Sequence, residues 1–252
     1  EKLPYFVTAF AIGILALIGQ REAGGLKDVA TFTATDRAGL TAYASAFYLL
    51  KIAAPWNLSP LYELRGDFSV TSPPVVIAGA SLLAITILAA LLSRRWPALP
   101  AAWIAWLVMI APVSGVARAG NQLAADRYTY IAALPFAFLA GDAWLKLSRT
   151  SRPAARAAGL LVVLVLVSLT FAQTRVWHDS VSLWTHAVRV DPDGERAVMN
   201  LASAYVDAGR TNDAEALYRK KIAADPTHAD ARYSLGMVLL RTGRITEAEG
   251  TF

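Results

Sequence analysis

Pro192 and Pro226 stand 34 residues apart, and the residues around each keep the same beat. Leu201, Ala202, Tyr205, Gly209, Ala214, Tyr218 and Pro226 define one unit. Leu235, Gly236, Leu239, Gly243, Ala248 and Phe252 recur at the same offsets in the next. A repeat of this length is a helical hairpin that buries its apolar face only against its neighbours, with small residues where helices touch. One period earlier, Trp184, Ala187 and Pro192 match the second half of a unit whose first half would fall inside an apolar segment. Upstream of Gln173 the pattern changes to a series of long apolar runs. The chain therefore reads as a membrane-embedded body carrying a soluble helical repeat.

The period and its residue types are those of the tetratricopeptide repeat. Gly209 and Gly243 sit where a left-handed residue ends the first helix of each pair. Lys221 departs from the pattern, standing where a small residue is usual. Two domains are expected: a transmembrane helical domain over residues 1–173 and a repeat domain over 174–252. The second divides into a half repeat at 174–194 and repeats at 195–228 and 229–252. Arrays of this kind need about three repeats to bury a continuous core. With two and a fragment, and with Glu1 where an initiator would stand, an interior piece of a longer protein is expected.

Hydrophobic residues make up 56% of the chain and charged residues only 17%, a balance that calls for lipid. Apolar runs cover roughly residues 3 to 19, 40 to 56, 74 to 92, 99 to 117, 128 to 145 and 157 to 172, most of them near the ~20 residues of a bilayer-spanning helix. Lys and Arg in short loops set the orientation. Arg94 and Arg95, then Lys146, Arg149, Arg152 and Arg156, mark two cytoplasmic loops, so the loops around Asn57 to Pro73 and Arg118 to Arg127 face outward with the repeats. Parity leaves the second run without a crossing. It carries Lys51 and ends at Pro55-Trp56-Asn57, so it reads as an amphipathic or re-entrant helix at the outer interface. The expected fold class is all-α: a polytopic bundle of about five spans plus one interfacial helix, followed by an α-solenoid. The expected location is the inner (plasma) membrane, multi-pass, with the repeats on the periplasmic or extracytoplasmic side.

The net charge of +5 lies mainly in membrane-flanking loops, so topology accounts for it without a nucleic-acid partner. The chain has no Cys, which excludes disulfides, thiolate zinc sites and Cys nucleophiles within it. His178, His186 and His228 lack metal-ligand spacing, and no metal site or cofactor is expected here. No Gly-rich phosphate loop, nucleophile elbow or H-E-x-x-H is present.

Two outward segments carry chemistry-bearing residues. Asp126, Arg127, Tyr128 and Tyr130 enter the outer end of an apolar helix, with Arg118 and Gln122 just upstream. Arg127 beside Asp126 is either an anchoring ion pair or a phosphate site, in which the guanidinium offers paired donors and a tyrosine adds a hydroxyl. The other segment holds Asn57, Tyr62 and Glu63. A lone loop carboxylate is more often solvated than catalytic. Asn57-Leu58-Ser59 also matches a glycosylation pattern, which chance explains better.

The order of Glu1 to Phe6, Pro55 to Tyr62, Ala125 to Tyr130 and Arg175-Val-Trp177-His-Asp179-Ser180 leading into the repeats resembles bacterial multispan repeat proteins. These are similar to the transmembrane and tetratricopeptide-repeat O-mannosyltransferases of animals, of the GT-C glycosyltransferase fold. That resemblance implies transfer of a sugar from a polyprenyl-phosphate donor to a protein or glycan acceptor on the outer face. It puts the essential carboxylate in a loop upstream of residue 1, a divalent metal in the full-length protein, and Arg127, Tyr128, Tyr130 and Arg118 at the donor phosphate. Asp126, Gln122, Asn57, Tyr62 and Glu63 would support the site. The repeat groove would hold the acceptor or a partner protein. Two other readings remain open at this point: a non-enzymatic membrane-anchored scaffold for an envelope or export complex, and a polymerase or ligase of lipid-linked glycans.

Overall fold

The computed structural model describes residues 33–64, 68–115 and 122–251, together with helical Thr8, Ala11, Ile12, Ile14, Leu15, Ile18 and Gly19. Element order is α1 (Ala34–Ala53), β1 (Tyr62–Glu63), α2 (Pro73–Leu92), α3 (Ala98–Ile110), β2 (Gln122–Ala124), α4 (Thr129–Ala132), α5 (Leu134–Thr150), α6 (Arg152–Val176), α7 (Ser180–Val190), α8 (Glu195–Asp207), α9 (Thr211–Ala224), α10 (Ala229–Arg241) and α11 (Ile245–Glu249). Short 3-10 turns at Ala111–Val113 and Asp126–Tyr128 extend α3 and lead into α4. The structure is all-helical as expected, with two short extended pieces, β1 and β2, in the connections. Pro60, which has no amide to donate to a helix, precedes β1.

Two compact units form. One comprises Glu1–Pro55 and Leu64–Ala157, the other Trp56–Glu63 and Ala158–Phe252. The apolar length of α6 falls largely with the repeats, and so does a short segment taken from the loop between α1 and α2.

In the first unit, α1 begins with a capping box in which Thr33 and Asp36 satisfy each other's backbone donors. Its inner face is Leu40, Ala44, Ser45 and Tyr48. Trp103 of α3 donates to Thr86 of α2 at 3.0 Å. Trp106, fully buried, stacks on Trp103 and leans on Phe136 of α5, so an aromatic column fixes three apolar helices together. Outward-facing Val76, Ile77, Leu83, Ile87, Leu88 and Leu91 leave α2 exposed along its length, as lipid contact requires.

Among the described residues, α2 and α6 are long and apolar enough to cross a membrane. The segments Asp126–Ala132 and Leu134–Thr150 pass together as one broken span bent by 52°. Pro135, within the first turn of α5, lacks the amide that would continue the helix across that break. The run expected at 128 to 145 is thus interrupted. The apolar helix Ala98–Val113 is shorter. Two membrane-length helices, or three with the broken one, stand among the described residues. Most of the run expected at 3 to 19 lies outside them.

The repeats fold as their period requires. Ala202, Ala214, Tyr218, Leu235, Val238, Leu239 and Ala248 form one buried cluster, and all but Val238 are positions singled out by the period. Gly209 and Gly243 have φ of 74° and 78°, and each is followed by an Arg amide that donates back to Tyr205 or Leu239. That closure is the left-handed helix stop expected from sequence. Lys221, the departure from the pattern, reaches Glu195 at 3.2 Å, and His228 meets the same carboxylate at 2.7 Å. Phe252 lies outside the described residues.

Candidate functional site

The Asp126–Tyr128 turn is built on a buried base. Ala124, Ala125 and Asp126 are all buried, and the Thr129 hydroxyl donates to the Asp126 carbonyl at 2.7 Å. From α1, the fully buried Tyr48 phenol accepts the Ala125 amide at 3.2 Å. Burial pushes that phenol up to about 12, with Tyr128 and Asp126 adding to the shift and the Ala125 amide and Arg127 opposing it. Tyr48 therefore stays a neutral hydrogen-bonding group.

Lys51 stands three residues further along α1, on the same helical side as Tyr48. Burial lowers its ammonium, and the attraction of the Asp126 carboxylate works against that. Arg127 is exposed. Its guanidinium lies 4.9 Å from the Tyr128 ring centre and donates to the Tyr128 hydroxyl at 3.3 Å. A guanidinium over an aromatic face is a planar cation of the kind that pairs with planar anions. The turn thus gathers Asp126, Arg127 and Tyr128 with Tyr48 and Lys51. Tyr130 is 72% exposed on the next turn, Gln122 lies half-buried in β2, and Arg118 falls outside the described residues.

Tyr48 and Lys51 were not singled out as site residues from sequence. The sequence does carry a signal for them, a lysine inside an apolar run with a tyrosine one turn before it, but the same pattern suits an interfacial helix.

The second segment, Asn57 to Glu63, belongs to the repeat unit. The Tyr62 hydroxyl donates to the Asn57 carbonyl at 2.9 Å and accepts the Ser59 amide at 3.0 Å, closing a tight loop. Asn57 adopts φ of 50° to make that turn. Glu63 then meets the start of α8: its Oε1 accepts the Arg196 amide at 2.6 Å and the Ala197 amide at 3.3 Å. Burial pushes the Glu63 carboxyl up; the two amides pull it down, and Asp191 and Glu195 add to the rise.

The histidines hold structural partners. His186 Nε2 donates to the Leu58 carbonyl at 3.1 Å. His228 caps α10 by accepting the Ala231 amide, and His178 pairs with Asp179. Among the described residues no group of three or more His, Asp or Glu side chains has a geometry that would hold a metal ion.

The tetratricopeptide-repeat family matches residues 169–228 and 199–252. The C-terminal region is a tetratricopeptide-repeat array. A protein O-mannosyl-transferase of Caenorhabditis elegans is 26% identical over 122 residues, covering 48% of this chain and 18% of the relative. The chain is distantly similar to that transferase, and the matched stretch spans less than a fifth of its length. No solved structure matches.

Proposed function

We propose that this chain forms part of a membrane glycosyltransferase of GT-C type. In this reading it moves a sugar from a polyprenyl-phosphate donor to a protein or glycan acceptor on the outer face, and the repeats bind the acceptor or a partner. The observation that carries the reading is the Asp126–Tyr128 turn: an exposed guanidinium over a tyrosine ring, with the Lys51 ammonium felt by the Asp126 carboxylate. The similarity to an O-mannosyl-transferase supports it. When the glycosyl bond breaks, the departing lipid phosphate gains charge, and a preorganised cation lowers that barrier. Arg127 is assigned to compensate that charge, with Tyr128 adding a hydroxyl, Tyr130 and Arg118 next, and Lys51 raising the local positive potential. Asp126 and Gln122 hold the turn. The apolar helices take the isoprenoid tail. No catalytic base is assigned within these residues, and a divalent metal would act with an acidic loop elsewhere in the full-length protein.

Membranes containing the full-length protein, supplied with radiolabelled polyprenyl-phosphate sugars, test the assignment. Arg127→Ala is expected to cut transfer about a hundredfold, the scale of losing one charge-stabilising donor, at unchanged protein level. Equal transfer by wild type and variant would remove Arg127 from the donor site.

A membrane-anchored scaffold is the second reading. Tyr233, Met237 and Leu240 lie exposed on one face of α10, a surface of the kind a peptide helix or strand covers. Absence of transfer with every donor, alongside intact peptide binding by the repeats, would favour it.

A further inference from the structure

Helix α8 opens the first full repeat, yet its own N-cap supplies nothing. Gly194 occupies the cap position and makes no side-chain hydrogen bond. The first amides of any helix lack intrahelical partners, and here two of them are satisfied from 133 and 134 residues away. Glu63 Oε1 takes the amides of Arg196 and Ala197. A Cβ placed on Gly194 would sit 3.3 Å from that same oxygen and 3.1 Å from the Asp191 carbonyl. The carboxylate thus fills the space that a local capping side chain would need.

The contact is not isolated. Four residues before Tyr62, the Leu58 carbonyl accepts His186 Nε2 of α7 at 3.1 Å. Between these two anchors the loop is closed on itself by the Tyr62 hydroxyl and by the Ser59 hydroxyl, which donates to the Leu61 carbonyl at 2.9 Å. Ser59, Leu61 and Tyr62 are buried. A preformed loop held at both ends on two successive repeat helices behaves as part of the array.

We infer that residues 56–63 are the N-terminal cap of the tetratricopeptide array, with Glu63 as the side-chain N-cap of α8. Solenoids need such a cap, because the first helical layer otherwise presents an unsatisfied face. The inference stands whether or not the chain transfers sugar. It also gives Glu63 a role other than the acid or base for which a loop carboxylate is a candidate.

The protonation behaviour agrees. Burial disfavours the ionised form of Glu63, the Arg196 and Ala197 amides oppose that, and the charges of Asp191 and Glu195 add to the rise. Glu195 in turn is engaged by Lys221 and His228. A carboxyl raised in the fold gives up stability as pH rises through the interval between its ordinary and raised values, so mild acid leaves this cap intact. An uncharged amide oxygen at the same place should then serve as well.

Amide hydrogen exchange on the full-length protein in lipid nanodiscs tests this, comparing wild type, Glu63→Ala and Glu63→Gln. Glu63→Ala is expected to speed exchange across the first turn of α8 about fivefold or more, the scale of losing an N-cap. Glu63→Gln should stay within about twofold of wild type, because its carbonyl still accepts both amides. Unchanged exchange in Glu63→Ala, or a Gln variant as fast as the Ala variant, would overturn the cap. Should Glu63→Ala fail to accumulate, the Gln variant alone decides, since retention of protection supports the cap and its loss refutes it.

Discussion

Tyr48 shows how a single buried hydroxyl organises the candidate donor site. It has no polar role inside α1; its hydroxyl is used 77 residues away, on the Ala125 amide that starts the Asp126–Tyr128 turn. Tyr48→Phe keeps the ring and orphans that buried amide, at a cost of about 1–3 kcal/mol. Thermal inactivation in detergent should show a lower midpoint, and an unchanged midpoint would mean the amide finds another acceptor. Arg127 calls for a different substitution. Arg127→Lys preserves charge but loses the planar fork over the Tyr128 ring. If the guanidinium grips a phosphate, donor KM should rise about tenfold, roughly 1.4 kcal/mol, with protein level unaffected. A Lys variant indistinguishable from wild type would reduce Arg127 to a general positive charge. The polar stretch at 126–130 was legible because ionisable residues at the edge of an apolar run stand out. Its partners on α1 were not, since nothing local links Tyr48 to Ala125.

At the level of the elements, the repeats were the most readable part of the chain. Gly209 and Gly243 announced left-handed stops, and both have positive φ. Because open space surrounds Gly209, Gly209→Ala isolates the backbone effect from any clash. It should destabilise the repeats by about 1 kcal/mol, seen as faster proteolysis of the C-terminal region. Charge across the repeats points to a second outcome. The Glu215 carboxyl is raised by burial but held lower on balance by Arg219 and Arg244. Arg244 lowers Glu247, and Glu195 is lowered by His228 and Lys221 against the opposing effect of burial. Carboxylates depressed in the fold contribute stability above their ordinary range and lose it as pH falls through the folded values. The repeats should therefore loosen below about pH 4, which protease sensitivity across a pH series would reveal. Glu63 runs the other way, so the α8 cap is not what fails first. The broken helix around Ala133 was less readable, because Pro135 sits inside a run apolar enough to pass as one span.

For the whole molecule, the contact between Glu63 and α8 constrains topology as well as stability, because residues that hydrogen-bond directly lie on one side of a membrane. Between β1 and α8 the chain runs through α2, α3, the broken pair α4 and α5, and α6. Only an even number of crossings returns it to the same side, and the three segments that pass on length and composition are one short. Helix α3 is the natural fourth. With its 3-10 turn the segment Ala98–Val113 is about 25 Å long, short of the ~30 Å hydrocarbon thickness but within what local thinning tolerates. Four crossings put Arg94 and Arg95 on one side with Lys146, Arg149 and Arg152, the basic loops that mark a cytoplasmic face. Four crossings predict the repeats on the side opposite those loops. Because the chain has no cysteine, single substitutions report cleanly. Thr71→Cys and Lys220→Cys should react with a membrane-impermeant thiol reagent in intact cells, and Thr150→Cys only after permeabilisation. Thr71 and Lys220 on opposite sides would break both the four-crossing count and the Glu63 cap. All three reacting from outside would remove the crossing assigned to α6 and one of the three assigned before it.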